Sequence, residues 1–223
     1  MRDSRSEPPR KRSLVLAPTI AAVIGLAAGV AMAQTPGPNA TPAATGEMAV
    51  GFFALPIDNS PGRIVDEVKA GVLAHDINLL TAHRERGADV NLEMLFAPPD
   101  LLAVLGSPRP HIGTEINTAG DTSDGYAGLT WGISLIQNLF RPGDYVFAEG
   151  SLGAAYQDGY IDSAPPGHKK LGSPVLFRES AEFGYQVTPA ISVSTLLDHI
   201  SNANLGRHNA GITSAGGRLG FKF

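Results

Sequence analysis

From about Val65 to Phe223 the chain falls into eight runs, most of which alternate apolar with polar, and the polar positions repeatedly carry full charges. Successive side chains of a strand point to opposite faces, so such alternation reads as β-structure. The first run sets Val68, Ala70, Val72 and Ala74 against Glu67 and Lys69. The second sets Val90, Leu92, Met94 and Phe96 against Asp89, Asn91 and Glu93, and the third Ile112, Thr114 and Ile116 against Glu115 and Asn117. The fourth, Tyr126 to Leu135, is more uniformly apolar. The fifth opposes Val146, Ala148, Leu152, Ala154 and Tyr156 to Glu149 and Ser151. The sixth runs from about Ser173 to Tyr185. The seventh ends at Ser201, and the eighth opposes Ala215, Leu219, Phe221 and Phe223 to Ser214, Arg218 and Lys222.

A soluble sheet with one wet face shows the same alternation. Two features favour a membrane barrel instead. Glu67, Lys69, Asp89, Glu93, Glu115, Glu149, Arg178, Glu182, Asp198 and Arg218 suit a narrow lumen, where they pair, while the outer face stays apolar. The sequence also closes on Phe223 in an alternating run, which resembles the assembly signal of bacterial outer-membrane barrels. The expected fold is all-β, an eight-stranded antiparallel up-and-down transmembrane β-barrel. At eight strands its interior is filled by side chains.

The segment before it supports an export route. Arg10-Lys11-Arg12 precedes an apolar run from Leu14 to Met32 that ends in Ala31-Met32-Ala33, the three parts of a secretory signal peptide. The run is nearly long enough for an uncleaved anchor. Cleavage after Ala33 is preferred, because a Pro/Thr/Ala-rich stretch follows at once. The expected organisation is a signal peptide over 1–33, a periplasmic linker over 34–62 and the barrel over 63–223. Five basic and two acidic residues fall within 1–33, so the formal charge of −4 becomes −7 without them. That balance argues against nucleic acid as a partner. The absence of Cys excludes disulfides and thiolate chemistry. His75, His83, His111 and His168 show no ligand spacing, so neither metal nor cofactor is expected.

With the N-terminus periplasmic, odd-numbered runs lead outward, and the seventh finishes at the outer leaflet. There it reads Asp198-His199-Ile200-Ser201-Asn202-Ala203-Asn204. Residues two apart on a strand share a face. His199 and Ser201 therefore stand side by side, as a nucleophile and its base must. Their face also carries Ile191, Val193, Thr195 and Leu197, which places the pair on the lipid side of the wall. Asp198 points inward.

At Leu171-Gly172-Ser173, Phe177, Glu179, His199-Ile200-Ser201-Asn202-Ala203, Asn209 and Gly211, the chain resembles the outer-membrane lipid A 3-O-deacylases, the PagL family. The resemblance runs ungapped from Leu171 to Ile212, extends more loosely back to the fifth run, and matches earlier runs in pattern only. It implies an eight-stranded outer-membrane barrel that removes the ester-linked acyl chain at the 3-position of lipid A. Ser201 is then the nucleophile and His199 the general base, with lipopolysaccharide and membrane lipid as partners and a homodimer among the possible assemblies. Asn209, with the backbone N–H of Asn204, suits an oxyanion hole; Asn202 and Phe177 support the site. Arg207, Lys169 and Lys170 are expected on extracellular loops, within reach of lipid A phosphates.

One position departs from the family. Thr213 stands where its best-known members carry a Glu that orients the histidine. Thr can accept a hydrogen bond from an imidazole but supplies no charge to the imidazolium. Glu179 is the candidate replacement. With the preceding turn centred near Thr188, position 199 is expected opposite 177 or 178, so Glu179 neighbours His199. A slip of one register would instead make Glu179 a lumen charge paired with Arg178 or Arg218. Two other functions stay open at this point: a structural or adhesive barrel without catalysis, and an esterase or acyltransferase acting on phospholipid.

Overall fold

The computed structural model describes residues 48–56, 64–80, 82 and 85–223; the expected cleavage site after Ala33 and His83 lie outside them. Nine strands form, β1 (Ala49–Ala54), β2 (Val65–Ala74), β3 (Ala88–Phe96), β4 (Arg109–Asn117), β5 (Asp124–Gln137), β6 (Tyr145–Gln157), β7 (Val175–Gln186), β8 (Ile191–Ser201) and β9 (Ile212–Lys222), with a short 3-10 turn at Asp100–Leu105. From β2 onward each strand pairs antiparallel with the next, and β9 pairs back onto β2. The result is a closed eight-stranded barrel, each of its strands paired on both sides. The eight alternating runs correspond one to one with β2–β9.

The ninth strand was not legible. Ala49–Ala54, inside the stretch read as linker, pairs with the far half of β5, Ala49 opposite Gln137 and Ala54 opposite Ile133. It extends the wall below β4, whose pairing with β5 stops at Arg109–Thr130. Leu55 then turns inward and packs with Tyr145 and Phe147.

The two faces of the wall are chemically opposite. Outward stand large apolar side chains, among them Leu219 at 63% exposure, Phe183 at 58% and Phe177 at 52%, with Val72, Val90, Leu92 and Ile112 also exposed. Soluble monomers rarely expose so continuous an apolar belt; in an outer-membrane barrel a bilayer covers it. Inward, charges interlock. Lys69 Nζ lies 2.7 Å from Glu149 and 3.0 Å from Glu182. Arg109 reaches Asp66 at 2.7 Å and Glu67 at 2.8 Å, Arg178 reaches Asp198 at 2.7 Å, and Arg218 pairs with Glu182 and Glu93. The Arg178 guanidinium also stacks 3.6 Å over the Tyr126 ring. The charges that alternation placed in a lumen do line it.

Candidate active site

β8 carries His199 and Ser201 to the barrel end where the connections 75–87, 118–123, 158–174 and 202–211 gather. Both side chains are partly exposed and share strand parity with the exposed Ile191 and Val193. Across β8, Glu179 of β7 stands directly opposite His199, and Phe177 opposite Ser201. On the other flank Thr213 of β9 stands opposite His199. The register is therefore offset by one or two residues from that expected from the turn, and it brings Glu179 closer to His199 than anticipated. It also removes the lumen alternative for Glu179. Its neighbour Arg178 is the one that faces inward, and Glu179 is half-buried on the outer side.

His199 Nδ1 is hydrogen-bonded to Thr213 Oγ1 at 2.9 Å. Thr213 is wholly buried, so this hydroxyl is a fixed partner. The bond occupies Nδ1 and leaves Nε2, the nitrogen a general base needs, on the ring edge beside Gly211. Glu179, although in register, makes no bond to the ring, and its Oε2 has no hydrogen-bond partner among the described residues. Nor does a hydrogen bond join His199 to Ser201 among them; their side-by-side placement comes from strand parity.

The residues read as an oxyanion hole are organised differently. The Asn204 N–H already donates to Asn202 Oδ1 at 3.0 Å and to Asn209 Oδ1 at 3.2 Å. Ala203 and Asn204 hold φ of 52° and 66°, left-handed values uncommon for residues other than glycine. Asn202 is buried, and its amide donates to the carbonyls of Leu171, at 2.9 Å, and His208. It ties the loop after β6 to the loop after β8 and does not face His199. Asn209 is exposed beside this turn.

Lys169 also departs from expectation. It is no surface cation but 2% exposed, with Nζ donating to Asp76 and, at 2.6 Å, to the carbonyl of Gly211. Lys170 and Arg207 are exposed, as anticipated. The role of Lys169 was missed because its partners lie 93 and 42 residues away. Gly211 offered the one available signal. A Cβ there would meet the His199 ring at 2.8 Å, so only glycine lets the backbone lie against the imidazole.

A closed eight-stranded barrel, apolar outside and charged inside, with titratable side chains set into its outer wall near one rim, is a membrane barrel of the outer-membrane kind. The profile of the lipid A 3-O-deacylase (PagL) family matches residues 100–222, more than half of the sequence, and the chain belongs to that family. Among solved structures it is similar to the outer-membrane enzyme PagL, at 17% identity and a TM-score of 0.51, covering 70% of this chain and 99% of that one. Neisserial surface protein A is a further match, at 10% identity and a TM-score of 0.43, covering 72% and 97%. No curated protein sequence matches.

Proposed function

We propose that the protein is an outer-membrane serine esterase that removes the ester-linked acyl chain at the 3-position of lipid A. Membership of the deacylase family gives the reaction class. The observation that carries the site assignment is the order along the wall: Thr213 hydroxyl on Nδ1 of His199, then the ring, then Ser201 on the same face.

Ser201 Oγ attacks the ester carbonyl and its proton passes to His199 Nε2. The imidazolium returns that proton to the departing 3-hydroxyl of the sugar, leaving an acyl-serine. Water, deprotonated by His199, then releases the fatty acid and restores both residues. Thr213 sets the ring's orientation. Glu179, across the strand, faces the imidazolium with the charge Thr213 lacks, and its place half-buried in an apolar wall is costly unless a cation forms beside it. Outer-leaflet lipid A brings its acyl chains to this surface by lying in the same plane, so no lumenal pocket is needed.

The test is purified, folded barrel mixed separately with lipid A and with phospholipid, with product masses read out. Loss of one ester-linked acyl chain from lipid A is the expected result. Turnover of phospholipid alone would move the assignment to the phospholipid esterase reading, and inertness toward both would favour a structural barrel.

A further inference from the structure

Four connections meet beneath the His199 imidazole, and one buried cation joins them. Lys169, in the loop between β6 and β7, sends its ammonium to Asp76 of the β2–β3 loop and to the Gly211 carbonyl of the β8–β9 loop. Its own N–H donates to Glu85 Oε1 at 2.9 Å. Glu85 in turn accepts from the Thr122 N–H at 3.3 Å, in the β4–β5 loop, and its N–H donates to Asp76 at 3.1 Å. The next residue of the β2–β3 loop, Ile77, donates its N–H to the Thr213 carbonyl at 2.7 Å. Gly211, whose backbone lies close to the imidazole, and Thr213, whose hydroxyl bonds it, are thus held through their carbonyls by this cluster.

We infer that Lys169 is a positioning residue for His199. By fixing the Gly211 carbonyl it keeps a Cβ-free stretch of backbone against the Cε1–Nε2 edge, so the ring holds one rotamer, with Nδ1 on Thr213 and Nε2 left for the reaction. The inference rests on the Ser201–His199 reading. Its physical warrant is that a buried ammonium donating to both a carboxylate and a carbonyl is rigid, whereas a loop glycine, buried but with no side chain to anchor it, is held in place chiefly by such a bond. Misplacing a catalytic base by about 1 Å costs on the order of 100-fold in rate.

The experiment compares the full chain with Lys169→Met, Lys169→Arg, Gly211→Ala, Lys169→Met on the Gly211→Ala background, and the double variant Lys169→Met/Asp76→Asn. The double variant removes both charges, so no carboxylate is left buried and unpaired. Lipid A deacylation is measured per folded barrel, and the His199 ring is followed by NMR in detergent micelles. Expected are a kcat loss of roughly 10- to 100-fold in Lys169→Met and in the double variant, with KM within about twofold. Lys169→Arg should recover part of the loss, and the His199 resonances should broaden or split wherever kcat falls. Adding Lys169→Met to Gly211→Ala should cost little more than Gly211→Ala alone, because both act through the same contact. A folded double variant with wild-type kcat and a single sharp His199 ring signal would overturn the inference. If the wild type leaves lipid A intact while the His199 signals still change on removing Lys169, the deacylase reading fails and the coupling of Lys169 to the ring stands.

Discussion

The lumen and the outer wall treat charge in opposite ways. Inside, Lys69, Arg109, Arg178 and Arg218 each meet at least one carboxylate within 3 Å or so, and the side chains are almost wholly buried. Outside, around His199, polar groups are few, and Glu179 lies directly opposite the imidazole without a hydrogen bond to it. The lumen charges are satisfied by one another and hold the wall together. A carboxylate set in an apolar surface without a lasting partner contributes nothing to stability that an apolar residue would not exceed. Its presence makes sense if it answers a charge that exists only during reaction. The contrast separates two jobs that alternation alone presents as one pattern.

The sharpest way to break that contrast is to remove the base. His199→Asn should lower kcat for lipid A by more than about 1000-fold, while detergent unfolding shifts by about 1–3 kcal/mol, since the buried Thr213 hydroxyl loses its partner. A large stability loss with modest activity loss would make His199 structural. On the lumen side Lys69→Met should do the reverse. It removes the cation that Glu149 and Glu182 share, leaving them Arg109 and Arg218 as partners, and is expected to cost about 3 kcal/mol in an unfolding midpoint assay.

A finer division lies between the two flanks of β8. Glu179→Gln should reduce kcat by roughly 10- to 100-fold, because charge opposite the imidazolium is removed while shape is kept. Thr213→Ala should reduce it less, and Thr213→Glu, which restores the family arrangement, should partly rescue Glu179→Gln. Unchanged kcat in Glu179→Gln would show that Thr213 alone orients the ring.

The smallest effect concerns the loop cluster. Burial opposes charge on His75, but its bonds to Asp89 at 2.8 Å and Glu85 at 3.2 Å outweigh that and push it up to about 9. Burial would raise Glu85, but His75 and the N–H groups of Lys169 and Thr122 bring it down to about 2. A raised histidine stabilises fully below its unfolded value, about 6.5, and that contribution fades as pH rises toward 9. Loop resistance to protease should therefore fall between about pH 6.5 and 9, and His75→Gln should flatten the dependence.

Much of this was legible from strand parity. Alternation separated lumen from exterior in most of the eight barrel strands, the uniformly apolar run that became β5 being the exception, and the i, i+2 spacing put His199 beside Ser201. What alternation could not supply was register and long-range contact. The pairing of Glu179 with His199 depends on how the short turn around Thr188 closes, where Ile191 donates back to the Thr188 carbonyl at 3.2 Å. The β1 strand escaped notice because its six residues sit beyond a Pro/Ala/Thr-rich stretch and pair with a strand about 80 residues on. Asn202 and Lys169 read as site and surface residues because burial by distant loops leaves no local mark.

The central claim is that chemistry occurs at one hydroxyl on the outer wall, apart from the lumen. It is tested most directly by Ser201→Ala, with lipid A mass as the readout per folded barrel. The expected result is an intact, heat-resistant barrel whose lipid A keeps its 3-linked acyl chain, with deacylation down by more than about 1000-fold. Deacylation within a few-fold of wild type in that variant would contradict the account.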